Sequence, residues 1–436
     1  MNGDFKWDPY ADQPHNVAPK RERFWYHFRF ASGYLSLFSS NIQKATRVLS
    51  LYRKYKRKMH RDSVPLDNPF GVSVSPSENG AGEILGGLKE LGIQNTLVRI
   101  PSWEKERLNF YLKFVERIKA QGFEVIISLL QRRQDVQNLS GWKNFLDEVF
   151  SRFRHLNSFF EIGHAWNRTK WGVWDYREYL QLAEASVLLA KKHGIKIVGP
   201  AVIDFEFHLY PVVLKKINFE KITSLLYVDR LGAPENTQYG WDASRKVALL
   251  KAVVDGCLKE NRDVWITEMN WPLKGRGKYS PAAGKVNVTE EEQANFLVRY
   301  FVLVLTSGFV ERVYWWQLAA PGYGLIDNLA GDWRKRPGFF AMKCMVERLK
   351  KTVFIKRIPH PEAFIFLFRR KREFCAVCWT KKRVVGHIFP QRILRVENRD
   401  GEEISLNGDC IQIGPSPRYV YFGEKNESWE SNQRII

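Results

Sequence analysis

The sequence predicts an α/β protein whose main domain is a closed (β/α)8 barrel. Short apolar runs rich in β-branched residues alternate with amphipathic stretches eight times over about 280 residues, the usual size of such a barrel. The runs show no alternation of polar and apolar residues, which is typical of parallel strands buried on both faces. A doubly wound open sheet is disfavoured because no GxGxxG motif follows the first strand.

Residues 1–64 form a basic, aromatic segment that we expect to be helical. They contain 13 Lys and Arg residues against five acidic residues, and apolar residues recur at helical spacing within 35–52. This pattern is typical of an amphipathic helix on an anionic membrane surface. It is equally typical of a helix that packs on the main domain with a solvated basic face.

The barrel domain is predicted to span residues 65–350, where each strand is followed by a helix. This alternation favours a parallel sheet with helices outside it. The predicted strands and the helices after them are 70–75 and 80–91, 96–101 and 104–120, 124–130 and 142–153, 159–163 and 176–193, 196–203 and 211–216, 222–227 and 243–260, 264–268 and 290–307, and 310–316 and 337–350.

From residue 351 the pattern changes to short strands separated by turns. It predicts a small β-sandwich-like domain over residues 351–425, followed by a polar tail over 426–436. The predicted strands are 352–357, 364–368, 373–379, 384–388, 392–396, 411–413 and 419–422.

Residues 264–268 are the stretch around which we expect a functional site. An apolar run ends there in a lone carboxylate, Glu268. The carboxyl ends of the strands of a (β/α)8 barrel meet at one mouth, where enzymes of this fold place their catalytic groups. The strand ends contribute polar and aromatic side chains that suit the hydroxyls and apolar faces of sugars. The expected substrate-binding residues are Arg99, His164, Asn167, Tyr227, Trp271, Trp316 and Gln317.

Composition bounds the partners and cofactors. Cys375 and Cys378 form a CxxC within a predicted strand, where residues three apart point to opposite faces. We therefore expect two core cysteines, no metal site and no cofactor. The net charge is +21, but no nucleic-acid motif accompanies it, so we expect no nucleic-acid partner. With no signal peptide visible, we expect a cytoplasmic protein, peripheral at the inner membrane face if residues 1–64 bind lipid.

Together these motifs resemble those of the clan A retaining glycoside hydrolases, with a shape similar to β-xylosidases and α-iduronidases. Residues 265–268, Trp-Ile-Thr-Glu, are similar to the seventh-strand motif whose Glu is the nucleophile in that group. Arg99 matches an arginine near the nucleophile, and Trp316 matches a tryptophan that forms a platform for the sugar. The resemblance implies a poly- or oligosaccharide substrate and a retaining mechanism with Glu268 as nucleophile.

One position departs from the pattern of that group. Residues 160–167 keep the frame of the fourth-strand motif, but His164 and Ala165 stand where the group carries Asn-Glu, whose Glu is the acid/base. Alanine can neither donate nor accept a proton. Glu161 lies four residues earlier on the strand, so we expect it deeper in the barrel with a buried partner such as Arg99.

Three functional alternatives remain. His164, Asp229 or Glu206 supplies the proton. Alternatively, the protein is a non-catalytic glycan-binding pseudoenzyme or scaffold in surface-polysaccharide assembly. In the third alternative it acts on an activated donor that needs no acid, as a transglycosylase does. The sequence decides neither whether the chain is an enzyme nor which sugar and linkage it recognises.

Overall fold

The computed structural model describes residues 5–15, 19–280, 287–406, 408 and 410–423. The predicted polar tail, 426–436, lies outside the described residues. The strands are β1 Trp7–Asp8, β2 Gln13–Pro14, β3 Val64–Leu66, β4 Phe70–Val74, β5 Asn95–Pro101, β6 Glu124–Leu130, β7 Phe159–Ile162, β8 Lys196–Ile203, β9 Lys221–Leu225, β10 Val264–Glu268, β11 Arg312–Trp315, β12 Ile326–Asp327, β13 Arg334–Lys335, β14 Thr352–Ile358, β15 Ala363–Arg370, β16 Glu373–Thr380, β17 Val385–Ile388, β18 Ile393–Glu397, β19 Cys410–Ile413 and β20 Arg418–Phe422.

The helices of the described residues surround the barrel and form most of the segment before it. They are α1 Lys20–Arg29, α2 Ala31–Lys58, α3 Ala81–Leu91, α4 Leu108–Lys119, α5 Arg133–Gln137, α6 Leu139–Phe153, α7 Tyr176–His193, α8 Tyr210–Leu214, α9 Ala243–Cys257, α10 Glu290–Leu305 and α11 Pro337–Leu349. None of the helices within the described ranges is both long and apolar enough to span a lipid bilayer.

The eight parallel strands β4 to β11 close into a barrel, with β11 paired back onto β4, which confirms the predicted (β/α)8 architecture. The strands are apolar throughout because helices cover their outer faces and side chains fill the interior. An inner cluster of Leu97, Ile126, Val198, Trp265 and Tyr314 packs the barrel itself. The barrel is therefore a solid core that leaves only its mouth open for a ligand.

The segment before the barrel is helical over α1 and α2, but its first residues are not. Residues 5–15 form a hairpin in which β1 pairs with β2. Helix α2 packs against α8 and α9 on the outside of the barrel. There Val48 lies against Gly256, and the side-chain amide of Asn41 donates to the carbonyl of His208 at 2.9 Å.

The C-terminal strands form the small β-domain that the sequence predicts. One antiparallel sheet has the order β18-β20-β16-β15-β14-β3, and β17 pairs with β19 in a second. Strand β3 precedes the barrel in sequence, yet Pro65 pairs with Val353 of β14. Cys375 and Cys378 are buried on opposite faces of β16, in two separate apolar clusters, as the period of a strand requires.

Candidate active site

Glu268 lies at the carboxyl end of β10, where an irregularity in the sheet aims its side chain. The hydroxyl of the preceding residue, Thr267, already faces the barrel interior and donates to Glu161 at 2.7 Å. Strict alternation would turn the next side chain outward. The register of β10 against β9 shifts between Ile266 and Glu268, and such shifts re-aim side chains. Two successive side chains, Thr267 and Glu268, consequently both face inward.

Two donors hold the Glu268 carboxylate. Nη2 of Arg99, on β5, donates to Oε2, and the phenol of Tyr227, just after β9, donates to Oε1. Burial and the adjacent carboxylate hold the pKa of Tyr227 well above its ordinary value, so the phenol keeps its proton and can donate. A carboxylate held in this way is an oriented anion, as a nucleophile of this type must be.

The guanidinium of Arg99 is the centre of this cluster. Its Cζ lies 3.3 Å from the ring centroid of Trp316. Nη1 donates to the backbone oxygen of Asp12 at 3.0 Å and lies 3.3 Å from Oδ2 of that residue. Nη2 lies 3.0 Å from Nε2 of His164. One guanidinium thus joins two carboxylates, those of Asp12 and Glu268, over the face of a tryptophan.

His164 is placed next to Glu268, with Nε2 3.6 Å from the carboxylate oxygen Oε2. The hydrogen bond between His164 and Arg99 determines which ring nitrogen of His164 carries the proton. Arginine can only donate, so Nε2 accepts from Arg99 and the neutral ring carries its proton on Nδ1. Burial, with the neighbouring charges of Arg99 and Lys170, lowers the pKa of His164 well below its ordinary value. The imidazole therefore acts here as a neutral acceptor.

Ala165 follows His164 and forms part of an apolar wall. It is fully buried, has φ 43°, and donates its N–H to the carbonyl of Ala201 at 3.1 Å. Its apolar neighbours include Leu130, Trp171 and Leu225. The methyl side chain of Ala165 has no group that can donate or accept a proton.

Glu161 is buried below the mouth, but its expected pairing with Arg99 is wrong. Its carboxylate accepts from Ser128 at 2.8 Å and from Thr267 at 2.7 Å. Burial raises its pKa, and these hydroxyl groups oppose the shift. Arg99 binds Glu268 instead, and the two hydroxyl groups take up the carboxylate of Glu161.

The hairpin of residues 5–15 lies over the mouth and completes its wall. The ring of Trp7 packs on those of Trp103 and Trp171, with centroids 5.0 and 6.1 Å apart. The side-chain oxygen of Gln13 accepts from Lys170, and Asp12 reaches Arg99. A segment far upstream of the barrel thereby contributes polar groups to the site.

The groups converge on a cavity of about 570 Å³, within the range of small-molecule sites. Its lining residues are Ala11, Asp12, Gln13, Arg99, His164, Arg168, Lys170, Trp171, Ile203, Asp204, Tyr227, Asp229, Arg230, Glu268, Asn270, Pro272 and Trp316. Four cations and four carboxylates are among them. Within the described part of the chain, no group of three or more His, Cys, Asp and Glu residues could hold a metal ion.

Three titratable groups of the cavity have pKa values moved toward neutrality, as groups that exchange protons near pH 7 require. Burial raises the pKa of Asp12 to about 6, with Arg99 opposing and Glu268 adding to the shift. Burial and the charge of Asp204 raise that of Asp229 to about 6. Burial lowers the pKa of Lys170 to about 8.

The predicted site residues divide into two sets. Arg99, His164, Tyr227 and Trp316 line the cavity together with Glu268. The remaining three hold the surrounding structure: Asn167 donates to the carbonyl of Ile203 and to Glu206, Trp271 donates to the carbonyl of Gly232, and Gln317 accepts from Ser75 and donates to Tyr323. Those three are absent from the lining because their side chains turn toward neighbouring loops.

Sequence reasoning missed the contributions of Asp12, Gln13 and Lys170. The first two precede the barrel, in a hairpin whose strands are two residues long and show no periodicity. Lys170 lies in the long loop between β7 and α7, and its distance from the strand end gives no sign that it reaches the mouth. The composition of residues 1–64 is as typical of a membrane surface as of a helix packed on the main domain, and neither interpretation places the first residues at the mouth.

Solved structures resemble this fold at low sequence identity. A family 39 glycoside hydrolase from the gut symbiont Bacteroides cellulosilyticus WH2 matches with a TM-score of 0.64 and 15% identity, over 82% of this chain and 81% of its own. A GH30 endoxylanase from Clostridium papyrosolvens C71 matches with a TM-score of 0.56 and 11% identity, over 83% and 98%.

A GH51 arabinofuranosidase from Xanthomonas axonopodis pv. citri matches with a TM-score of 0.52 and 11% identity, over 83% and 97% of the two chains. No family model matches the sequence, and no curated protein does either. At these identities the likeness concerns the fold. The chain has the glycoside hydrolase-like fold that these three enzymes share, a (β/α)8 barrel with an attached β-domain.

Proposed function

We propose that this chain is a carbohydrate-active protein of the retaining glycosidase type that takes part of an oligo- or polysaccharide into the barrel mouth. The observation that carries the proposal is the Glu268 carboxylate, held by Arg99 and Tyr227 at the end of the seventh barrel strand. Trp316 lines the cavity beside this cluster, with the guanidinium of Arg99 over its ring. The glycoside hydrolase fold supports the proposal.

In the proposed reaction an oxygen of Glu268 attacks the anomeric carbon of the sugar. The glycosidic C–O bond breaks, and the electron pair leaves with the aglycone oxygen, which takes up a proton. Water, or an acceptor hydroxyl in a transfer reaction, then attacks the same carbon, gives its proton to the carboxylate that donated one in the first step, and releases Glu268. Arg99 and Tyr227 orient the carboxylate for the first step and stabilise it again when the second step frees it.

The proton in the first step is assigned to Asp229. Of the three groups considered from sequence, His164 accepts a hydrogen bond where it would need to donate one. Glu206 is held by Arg168 at 2.5 Å and by Asn167 at 2.8 Å, and it does not line the cavity. Asp229 lines the cavity, and its pKa of about 6 suits a general acid.

Turnover of nitrophenyl glycosides tests the nucleophile, because an activated leaving group needs no protonation. Wild type is expected to release nitrophenol, and Glu268→Ala is expected to lose that activity. Glu184→Ala, which changes an exposed glutamate of α7, is the control. Equal activity of wild type and Glu268→Ala would remove Glu268 from the mechanism.

The same substrates, compared with glycosides of poor leaving groups, test the acid. Asp229→Asn is expected to slow the hydrolysis of glycosides with poor leaving groups by about 10²–10⁴-fold. Hydrolysis of the nitrophenyl glycosides should be nearly unchanged, because general acid catalysis assists only the poor leaving groups. Equal slowing of both classes would assign Asp229 to binding.

A second candidate function is glycan binding without turnover, and Ala165 is the observation that favours it. The apolar surroundings of Ala165 stand where the resemblance places the acid/base. In this case wild type binds an oligosaccharide on a glycan array, Trp316→Ala weakens that binding, and no nitrophenyl glycoside is hydrolysed. Hydrolysis that depends on Glu268 would exclude this candidate.

A further inference from the structure

The outward side of α1 and α2 carries large apolar side chains that contact little else. Phe24, Phe28, Leu35 and Phe38 are each 65–71% exposed. The exposed set, which we call the outer face, consists of Phe24, Trp25, Phe28, Tyr34, Leu35, Phe38, Ile42 and Leu49. Single exposed hydrophobic residues are normal, but eight on two consecutive helices mark an interaction surface.

The outer face is distinct from the side by which α2 joins the barrel. Gly33, Leu37, Val48 and Tyr55 face inward, where Gly33 lies against Arg177 and the hydroxyl of Tyr55 donates to Asp255. The outward residues of α2 recur at spacings of three, four and seven, which places them on one side of a helix. Folding therefore buries one side of α2 against the barrel and leaves the opposite, apolar side exposed.

Strong positive charge continues this face toward the end of α2. Helix α2 contains seven Lys and Arg residues and no Asp or Glu. Arg53, Lys56 and Arg57 are exposed and follow Leu49 by four, seven and eight residues, which places them on the same side of α2 as the outer face. A helix with an apolar side and clustered basic residues is the type that lies in the interface of a bilayer with anionic lipids.

We propose that the outer face binds the surface of an anionic lipid bilayer, with α1 and α2 lying in the interfacial plane. Exposed aromatic residues suit this depth because their rings are apolar yet tolerate the polar headgroups. The charge argues against a second copy of the chain as occupant, since two such faces would bring like charges together. A bilayer with anionic lipids supplies both the apolar layer and the opposite charge.

The apolar end of this face adjoins the rim of the barrel mouth. The ring of Tyr26 packs on that of Trp174, with centroids 5.2 Å apart. Phe30 lies under the guanidinium of Arg177 at 4.0 Å. Both partners follow the fourth barrel strand on the mouth side. Bound lipid would therefore lie beside the mouth, within reach of a saccharide attached to the membrane.

Sedimentation with phospholipid vesicles tests the proposal on the full chain. Wild type is expected to bind vesicles of phosphatidylcholine mixed with phosphatidylserine, and binding should weaken as salt rises. Phe38→Ser/Ile42→Ser is expected to bind about tenfold more weakly because it removes apolar surface that the bilayer would bury. Leu188→Ser, at a leucine of α7 that is 69% exposed, is the control and should bind as wild type does.

A second pair of variants tests the charge. Arg53→Gln/Arg57→Gln should weaken binding to the mixed vesicles by about tenfold, since each basic residue contributes near an anionic surface. Lys113→Gln/Arg117→Gln makes the same changes at exposed positions of α4 with the same spacing and should change nothing.

Three outcomes would overturn the proposal. The first is that wild type fails to bind the mixed vesicles, and the second is that Phe38→Ser/Ile42→Ser binds them as tightly as wild type does. The third is that the Leu188→Ser control loses as much vesicle affinity as Phe38→Ser/Ile42→Ser. Analytical ultracentrifugation in the absence of lipid tests the alternative that the outer face binds a second copy of the chain. A dimer that Phe38→Ser/Ile42→Ser dissociates would assign the outer face to self-association instead of lipid. Substitutions are preferable to removal of residues 1–64, because that deletion would also remove Asp12 from the mouth.

Discussion

Two walls of the barrel mouth differ in chemistry. The wall built by β5, β9 and β10 presents Arg99, Tyr227 and Glu268, joined by hydrogen bonds that hold one carboxylate in place. The wall at the end of β7 and β8 presents Ala165 and Ala201 within an apolar cluster. The first wall holds the carboxylate of Glu268, whereas the second has an alanine, Ala165, where the resemblance places a carboxyl that donates and accepts protons.

The difference separates two requirements that a retaining glycosidase normally meets together. Holding a nucleophile needs buried donors, and this chain has them. Protonating a leaving group needs a carboxyl about 5–5.5 Å from the nucleophile. We assign that task to Asp229, so the two walls can be tested independently of each other.

The largest expected effect comes from restoring a carboxyl on the apolar wall. In the Asp229→Asn background, Ala165→Glu should raise turnover of glycosides with poor leaving groups by about 10²–10⁴-fold, the usual contribution of general acid–base catalysis. The larger side chain in a packed cluster should also lower stability by about 1–3 kcal/mol. Initial rates and thermal unfolding measure the two effects.

Ala201→Glu provides the matched control for this gain. Ala201 is buried in the same cluster and also has positive φ, 54°. It should lose similar stability without gaining turnover. If Ala165→Glu gains nothing in the Asp229→Asn background either, a carboxyl at residue 165 does not reach the leaving group, and the apolar character of this wall does not limit the reaction.

Removing the cation of the charged wall should have the next largest effect. Arg99→Met leaves the carboxylates of Asp12 and Glu268 buried without their shared partner, which should lower the free energy of unfolding by about 3–5 kcal/mol. Denaturant unfolding measures the loss. Arg299→Met breaks another buried pair, with Glu235 away from the mouth, and should lower stability without affecting sugar binding. Unchanged sugar binding by Arg99→Met would place Arg99 outside the site.

A smaller effect is expected from the second donor to Glu268. Tyr227→Phe removes a hydrogen bond to a charged group, worth about 1.5–3 kcal/mol, so kcat/KM for nitrophenyl glycosides should fall roughly 10- to 100-fold. Tyr210→Phe removes a hydroxyl that donates to the carbonyl of Thr223 at 2.9 Å, away from the cavity. It should affect stability alone. Equal kinetic losses in both variants would mean that Tyr227 acts through folding.

The smallest expected effect concerns Asp12, which the hairpin brings to Arg99. Its pKa of about 6 in the folded chain lies above the ordinary value, so the folded state binds the proton more tightly. Asp12 therefore contributes stability at low pH that is lost as pH rises from about 4 to about 6. Relative to Asp12→Asn, wild type should lose about 1–2 kcal/mol over that interval.

Unfolding of the two chains across this pH range measures the difference. Asp62→Asn, at an exposed residue that pairs only at the surface with Lys58, is the control. It should follow wild type. Parallel pH profiles of wild type and Asp12→Asn would show that the carboxyl of Asp12 is solvated and does not belong to the mouth wall.

The barrel could be predicted because its information is local and repeated. Each strand is a continuous apolar run, each helix has its own period, and the bounds of the barrel strands lie within one or two residues of those expected. Convergence of strand ends then brings Arg99, Tyr227 and Glu268 together without any further information. The hairpin had no such signal, because nothing in residues 5–15 indicates that they fold back over a mouth formed by residues far downstream.

Side-chain direction was also beyond the sequence. Trp271 and Gln317 stand at strand ends as expected, yet they turn into neighbouring loops because the carbonyl of Gly232 and the hydroxyl of Tyr323 offer them partners. A strand end places a backbone at the mouth, but local hydrogen bonds decide which side chains enter the cavity. Those partners come from loops whose conformation has no periodic pattern.

The pairing of β3 with β14 has a consequence for biosynthesis. Because Pro65 and Val353 lie on opposite sides of the barrel sequence, the ribosome releases one strand long before its neighbour exists. Until then the nascent chain exposes an unpaired strand, which invites pairing with other chains. Contacts between residues so distant in sequence also slow folding. A recombinant fragment that ends with the barrel would leave this strand permanently unpaired, so we expect it to aggregate where the full chain stays monodisperse.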